Sequence, residues 1–216
     1  MLTPAPFQGN LWVMQTLGIS GRKERDDGRL KSIFWPTVEN AWDVDHLGRQ
    51  GFWICTIIAA YQLVFALISG NSVAMLFGVV AALVFFVGGM GVRESSWPAA
   101  ALVFCLFSVN LLYAIATAHF PGILDILATG MLLANVRAAF ISSTWKPAAE
   151  GEDQPTRFSE TFGDKLADQM PAKLWPVVQI PFFGVAALMF VLSVAGSAIL
   201  FLHRFGVLTG PNPAQS

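Results

Sequence analysis

Charge is scarce in this chain: Asp, Glu, Lys and Arg make up 12% of its 216 residues, against 55% apolar. Soluble domains carry about 25% charged residues, so there is too little charge here to cover a water-exposed surface. The 13 basic and 14 acidic residues nearly cancel, which excludes the general basic surface that nucleic acid needs. Only two cysteines are present, Cys55 and Cys105. Both fall inside apolar runs, so a disulfide framework is not expected. A P-loop, GxGxxG, CxxC and nucleophile elbow are all missing. The first 20 residues lack a basic region followed by an apolar one, so no cleavable secretory signal is expected and the first span would serve as its own insertion signal.

What is present is long charge-free stretches. Between Arg49 and Arg93 lie 43 residues without a charge; between Glu94 and Arg137 lie 42, with Asp125 the single exception; between Lys173 and Arg204 lie 30. About 20 apolar residues cross the hydrocarbon core as a helix. The first two gaps are therefore two spans each, divided at Ser69-Gly70-Asn71-Ser72 and at His119-Phe120-Pro121-Gly122, both rich in turn chemistry. The third is one span. Backbone polar groups must be satisfied within the segment in lipid, and the runs do not alternate as barrel strands do. The expected fold is all-α: a polytopic membrane protein with a bundle of about five transmembrane helices, near 52–69, 73–92, 97–118, 123–143 and 176–203, and a cytoplasmic amphipathic helix.

With the N-terminus cytoplasmic, 12 of the 13 basic residues lie inside and only Arg204 outside; the positive-inside bias selects this orientation, with an external tail at 204–216. Trp53, Trp97, Trp145 and Trp175 then fall at cytoplasmic helix ends, where Trp anchors at headgroups, and Arg93 and Arg137 reach the same headgroups. Pro98 and Pro176 follow Trp97 and Trp175 as helix openers.

Two polar segments remain. In residues 1–50, Arg29 to Pro36 is basic and aromatic and reads as an interfacial stretch against anionic headgroups. In residues 144–175, Phe158, Phe162, Leu166 and Met170 recur every four positions, which predicts an amphipathic helix that stops before Pro171 and lies on the inner leaflet or beneath the bundle.

Polar residues inside spans are the functional candidates. Asp125, Asn110, Asn135 and Gln62 could serve as coupling residues, although interhelical hydrogen bonding is the plainer role, and Asp125 could simply cap its helix. His119, Asp125 and His203 would share the outer face, a ligand set for a divalent metal but without motif spacing. Small residues at four-residue spacing (Ala74, Gly78, Ala82; Gly130, Ala134, Ala138) permit close helix packing, in a compact bundle or a homo-oligomer.

The run Gly91-Val92-Arg93-Glu94-Ser95-Ser96-Trp97-Pro98-Ala99-Ala100, followed by Ala134-Asn135-Val136-Arg137-Ala138-Ala139-Phe140, resembles a pattern in small uncharacterised bacterial multi-span proteins. These carry a Gly-Val-Arg turn, two spans and an Asn-x-Arg-x-x-Phe helix end. The resemblance covers residues 88–143; it implies a bacterial inner membrane and no assigned activity. Three functions remain open: a non-catalytic accessory or scaffold bundle, a small transporter or channel, and an outward-facing metal-dependent enzyme. The first is favoured because few charged groups lie in the spans; it implies no cofactor, no nucleic acid, and the bilayer, a homo-oligomer or a membrane complex as partner.

Overall fold

The computed structural model describes residues 34–39, 41–116, 122–145 and 162–204. They form five long helices: α1 (Ala41–Ile68), α2 (Ser72–Arg93), α3 (Trp97–Ala116), α4 (Ile123–Ser143) and α5 (Phe162–Arg204). All five are long and apolar enough to cross a membrane. The chain is a multi-pass helical membrane protein. The end at which α1 begins and α2 finishes is called the base; the end with the α1–α2 turn is the top.

That turn closes as its residues dictate. Gly70 takes φ +64, a left-handed conformation open to glycine. Asn71 caps α2, its Oδ1 accepting from the N–H groups of Val73 at 2.9 Å and Ala74 at 3.3 Å. At the base, α2 ends with the N–H of Ser96 on Gly91 C=O at 2.9 Å and that of Ser95 on Val92 C=O at 3.1 Å, a Schellman closure. Its left-handed position holds Ser95 (φ 56) instead of glycine. Relief of that strain predicts that Ser95→Gly stabilises the protein by about 1 kcal/mol. A melt in detergent should then shift upward by about 2–4 °C; no rise would mean that the Ser95 side chain compensates for its backbone.

Packing is cyclic. α1 lies along α2 and α4, α3 along α4 and α5, and α5 against α2, with α2 also touching α3. The small-residue stripes are used inside this ring. A Cβ on Gly78 would fall 2.5 Å from that of Ala66, Gly130 is covered by the ring of Phe34, and Ala82, Ala134 and Ala138 are buried. These five bring the chain's own elements together, whereas Ala74 is exposed. The buried core (Phe52, Cys55, Phe85, Val103, Leu132, Trp175 and their neighbours) lies toward the base. Most side chains near the top, and on the outer faces, are exposed apolar groups such as Ile68, Leu76, Ile123 and Leu200, as expected where lipid tails are the solvent. Both cysteines are free thiols.

Three expectations are corrected. α1 begins at Ala41 rather than near 52: the short helix that Thr37 to Arg49 could form ahead of the first span and the span itself are one continuous helix. The amphipathic helix does not stop before Pro171, and Pro176 does not open the fifth span: both are interior to α5, a single 43-residue helix that also contains Pro181. At 1.5 Å per residue it is about 65 Å long, twice the hydrocarbon thickness. Each proline removes one intrahelical bond, but Pro171 is fully buried, and Trp175 and Phe182 pack against α2 and α3. Packing along the whole length outweighs the local breaks. The expected apolar stripe packs only in part: Leu166 is half-buried and Met170 packs against the core. Phe158 lies outside the described residues and Phe162 is 82% exposed, whereas Ala167, Asp168 and Pro171 are buried. The small and acidic face docks because an arginine awaits it.

Candidate functional site

That arginine is Arg93, in the last turn of α2 and only 2% exposed. Its Nη1 donates to Asp45 Oδ1 at 2.7 Å and to the Asp45 carbonyl at 3.1 Å. Its Nε and Nη2 both donate to Asp168 Oδ1, at 3.1 and 2.6 Å. One guanidinium thus joins α1, α2 and α5. The Asp168 side chain is 7% exposed and that of Asp45 32%. Gly48 permits the approach, because a Cβ there would sit 3.3 Å from the Val92 carbonyl. The cation also lies at the C-terminal end of α2, the negative end of the helix dipole, which favours positive charge.

Arg93 is therefore not a headgroup anchor, as the sequence suggested, but the centre of a buried ion cluster. Its partners were missed because they lie 48 and 75 residues away. The one available signal was that Asp45 and Asp168 flank apolar runs at the same end as Arg93. A buried ion cluster of this kind fixes geometry more than it adds stability; its guanidinium and carboxylates are engaged with each other.

Arg137 also departs from expectation. It does not extend freely to headgroups: Nη1 donates to the Pro36 carbonyl at 2.7 Å, and the guanidinium stacks 4.7 Å from the Trp35 ring. Phe34 packs on Gly130, seven residues before Arg137 in α4 and about 10 Å deeper. Residues 34–36 are tucked against α4 rather than spread over a surface, while Arg29 to Ile33 lie outside the described residues. Of the Trp anchors, Trp175 is 8% exposed, edge-on to Phe182 and Phe183. It is a core residue, held against Gly91. Trp97 remains 45% exposed, edge-on to Phe140.

The polar candidates separate into two kinds. Asn135 is buried, and its Nδ2 donates to the Met131 carbonyl at 2.8 Å. Asp125 is exposed in the first turn of α4, where its Oδ2 accepts from the Gly122 N–H at 2.9 Å. These carry structural hydrogen bonds. Gln62 is half-buried and Asn110 exposed, and neither amide has a hydrogen-bond partner among the described residues. Of the metal set, His119 lies outside the described residues and His203 is exposed near the end of α5. Among the described residues no group of three or more His, Cys, Asp or Glu is placed to hold a metal ion.

The fold and this cluster define a class: a five-helix membrane bundle braced at its base by a buried Arg–Asp–Asp cluster. No protein-family model, curated protein or solved structure matches the chain.

Proposed function

We propose that this chain is a non-catalytic accessory or scaffold bundle of a bacterial cytoplasmic membrane, its base cytoplasmic and its top external. The observation that carries this reading is how the bundle interior is filled. Between the Arg93 cluster and the level of Gln62 the core is mostly Phe52, Cys55, Ile58, Phe85, Leu106 and Leu132, all buried, with Asn135 bonded to its own helix and the buried Ser108 hydroxyl as isolated polar groups. An apolar layer of this kind offers a solute no polar path, and the charged groups beneath it hold helices together. The Gly-Val-Arg resemblance and the distribution of basic residues support the bacterial membrane and the orientation.

Two measurements on one preparation test this. In proteoliposomes, the chain should pass no ion or small solute above protein-free vesicles. In sealed cells, an impermeant thiol reagent should reach a cysteine placed at Asn71 and not one placed at Asp153. Flux that falls in Asp125→Asn would replace this reading with the transporter alternative, for which the unpaired amides of Gln62 and Asn110 are the supporting observation.

A further inference from the structure

Gln62 and Asn110 lie far apart in sequence, but helix contacts set their heights. Ala66 of α1 meets Gly78 of α2. Four residues back along α1 from Ala66 is Gln62, and four forward along α2 from Gly78 is Ala82. Phe107 of α3 meets Phe85 of α2. Three residues on from Phe107 is Asn110, and three back from Phe85 is again Ala82. All helices rise 1.5 Å per residue, so both amides sit at the level of Ala82. α4 adds a third group. From the contact between Gly51 and Asn135, the eleven steps to Gln62 correspond to position 124. From the contact between Trp97 and Phe140, the thirteen steps to Asn110 correspond to position 127. Asp125 lies between these two values.

Each of the three also continues the buried stripe of its own helix. Gln62 follows Cys55 and Ile58 by seven and four residues, Asn110 follows Val103 and Leu106 by seven and four, and Asp125 precedes Leu132 by seven; all five reference residues are buried. By helical periodicity these polar groups therefore point where the core points, not to lipid. Yet Asn110 and Asp125 are exposed and Gln62 half-buried, even though α1 and α2 remain in contact above this level at Ala66 and Gly78. Gln62 and Asn110 each stand six residues, about 9 Å, below the described tops of α1 and α3. An unpaired amide at that depth is costly in hydrocarbon but not in water. Below them Ile58, Phe85 and Leu106 close the interior.

We infer that the top of the bundle holds a blind, water-filled inlet whose lowest polar level, Gln62, Asn110 and Asp125, selects a small monovalent cation. The donor set is all oxygen, two carboxamide carbonyls and one carboxylate, which suits a hard cation. A single carboxylate matches a single positive charge, and in a narrow inlet with apolar walls its field is focused. The inlet goes beyond the accessory reading without contradicting it: a closed floor permits binding and not passage.

The test uses the full chain in sealed membranes, with Cys55→Ala and Cys105→Ala as background and single cysteines at Gln62, Asn110, Ile58 or Val64. Ser72→Cys marks the top compartment. Impermeant methanethiosulfonates, one bearing trimethylammonium and one bearing sulfonate, are added on that side. Thiols at positions 62 and 110 should react; those at Ile58, beneath the floor, and Val64, on the opposite face of α1, should not. The cationic reagent should be favoured about tenfold beyond its preference for a free thiol in solution. Asp125→Asn, which keeps an oxygen for the Gly122 N–H, should abolish that excess. Sodium replacing N-methylglucamine at constant ionic strength should slow modification several-fold. If positions 62 and 110 are both silent from the top, there is no inlet. If they react without a charge preference, with one that survives Asp125→Asn, or without protection by sodium, the cation site is rejected.

Discussion

Arg93→Met should be the most damaging single substitution in this protein. It removes every donor from the base cluster and leaves Asp168, 7% exposed, with no partner in a medium of low polarity. Breaking a buried pair from one side costs about 3–5 kcal/mol, a fall of roughly 6–20 °C in Tm for a chain of this size. Cys55 is a convenient reporter, since it is 0% exposed and its thiol reacts only when the core opens. In a Cys105→Ala background, heating with a thiol-reactive dye gives the midpoint directly. Arg93→Lys should recover only part of the loss, because one ammonium cannot reproduce a fork that reaches two carboxylates on different helices. The double variant Arg93→Met with Asp168→Leu should recover most of it, since the uncompensated charge is gone and Asp45, one-third exposed, can be hydrated. If Arg93→Met melts like the parent, or if the double variant is no better than the single, the cluster does not brace the base.

The second large effect is expected at Gly91. A Cβ there would fall 2.5 Å from Trp175 Cη2 and 2.6 Å from the Ala99 Cβ, so α2 meets α3 and α5 with no room for a side chain. Gly91→Leu should cost about 1–3 kcal/mol or more from overpacking, and the damage should be local. The lower part of α5 would be displaced, while α1 and α2, which meet on the other side of α2 through Gly89 and Cys55, stay together. A cysteine at Ala167, 0% exposed in the parent, should become reactive at a temperature where Cys55 is still protected. Gly91→Ala should show the same pattern more weakly. Equal release of both thiols would mean that α5 is not a separable layer; no release would mean that Trp175 has another rotamer to adopt.

Both predictions turn on residues, Arg93 and Trp175, that the sequence placed at the headgroups and the structure places in the interior. Arg93 and Trp175 stand beside apolar runs, where long amphipathic side chains can either reach headgroups or turn inward. Local sequence does not distinguish these outcomes. The choice depends on whether a counter-ion or a notch is present at that height on another helix: Asp168 and Asp45 for the first, Gly91 for the second. The three prolines of α5 are a similar case. Pro171 and Pro176 read as boundaries because proline costs a helix one bond and some strain, but this takes no account of contacts from Ala167 to Ala186 along α2 and α3. Asn135, a candidate for coupling, is tied to its own helix, whereas Gln62 and Asn110, on different helices, were brought to one level only by register.

Three of the five spans were legible from residues alone, while α1 and α5 begin well before the expected starts near 52 and 176. α4 occupies 123–143 as read from its charge gap, and α2 and α3 match over every described residue to within one position at each end. The Gly70–Asn71 turn falls where its chemistry required. Lipid makes this possible: it offers the backbone no hydrogen bonds, so any apolar stretch of the right length must be a helix, and its neighbours along the chain decide that by themselves. How those helices face one another is a matter of pairings across 40 to 100 residues. A guanidinium finds its carboxylates, an indole its glycine and two amides a common height only after the helices pack, and for that reason the brace at the base and the inlet at the top belong to the tertiary structure.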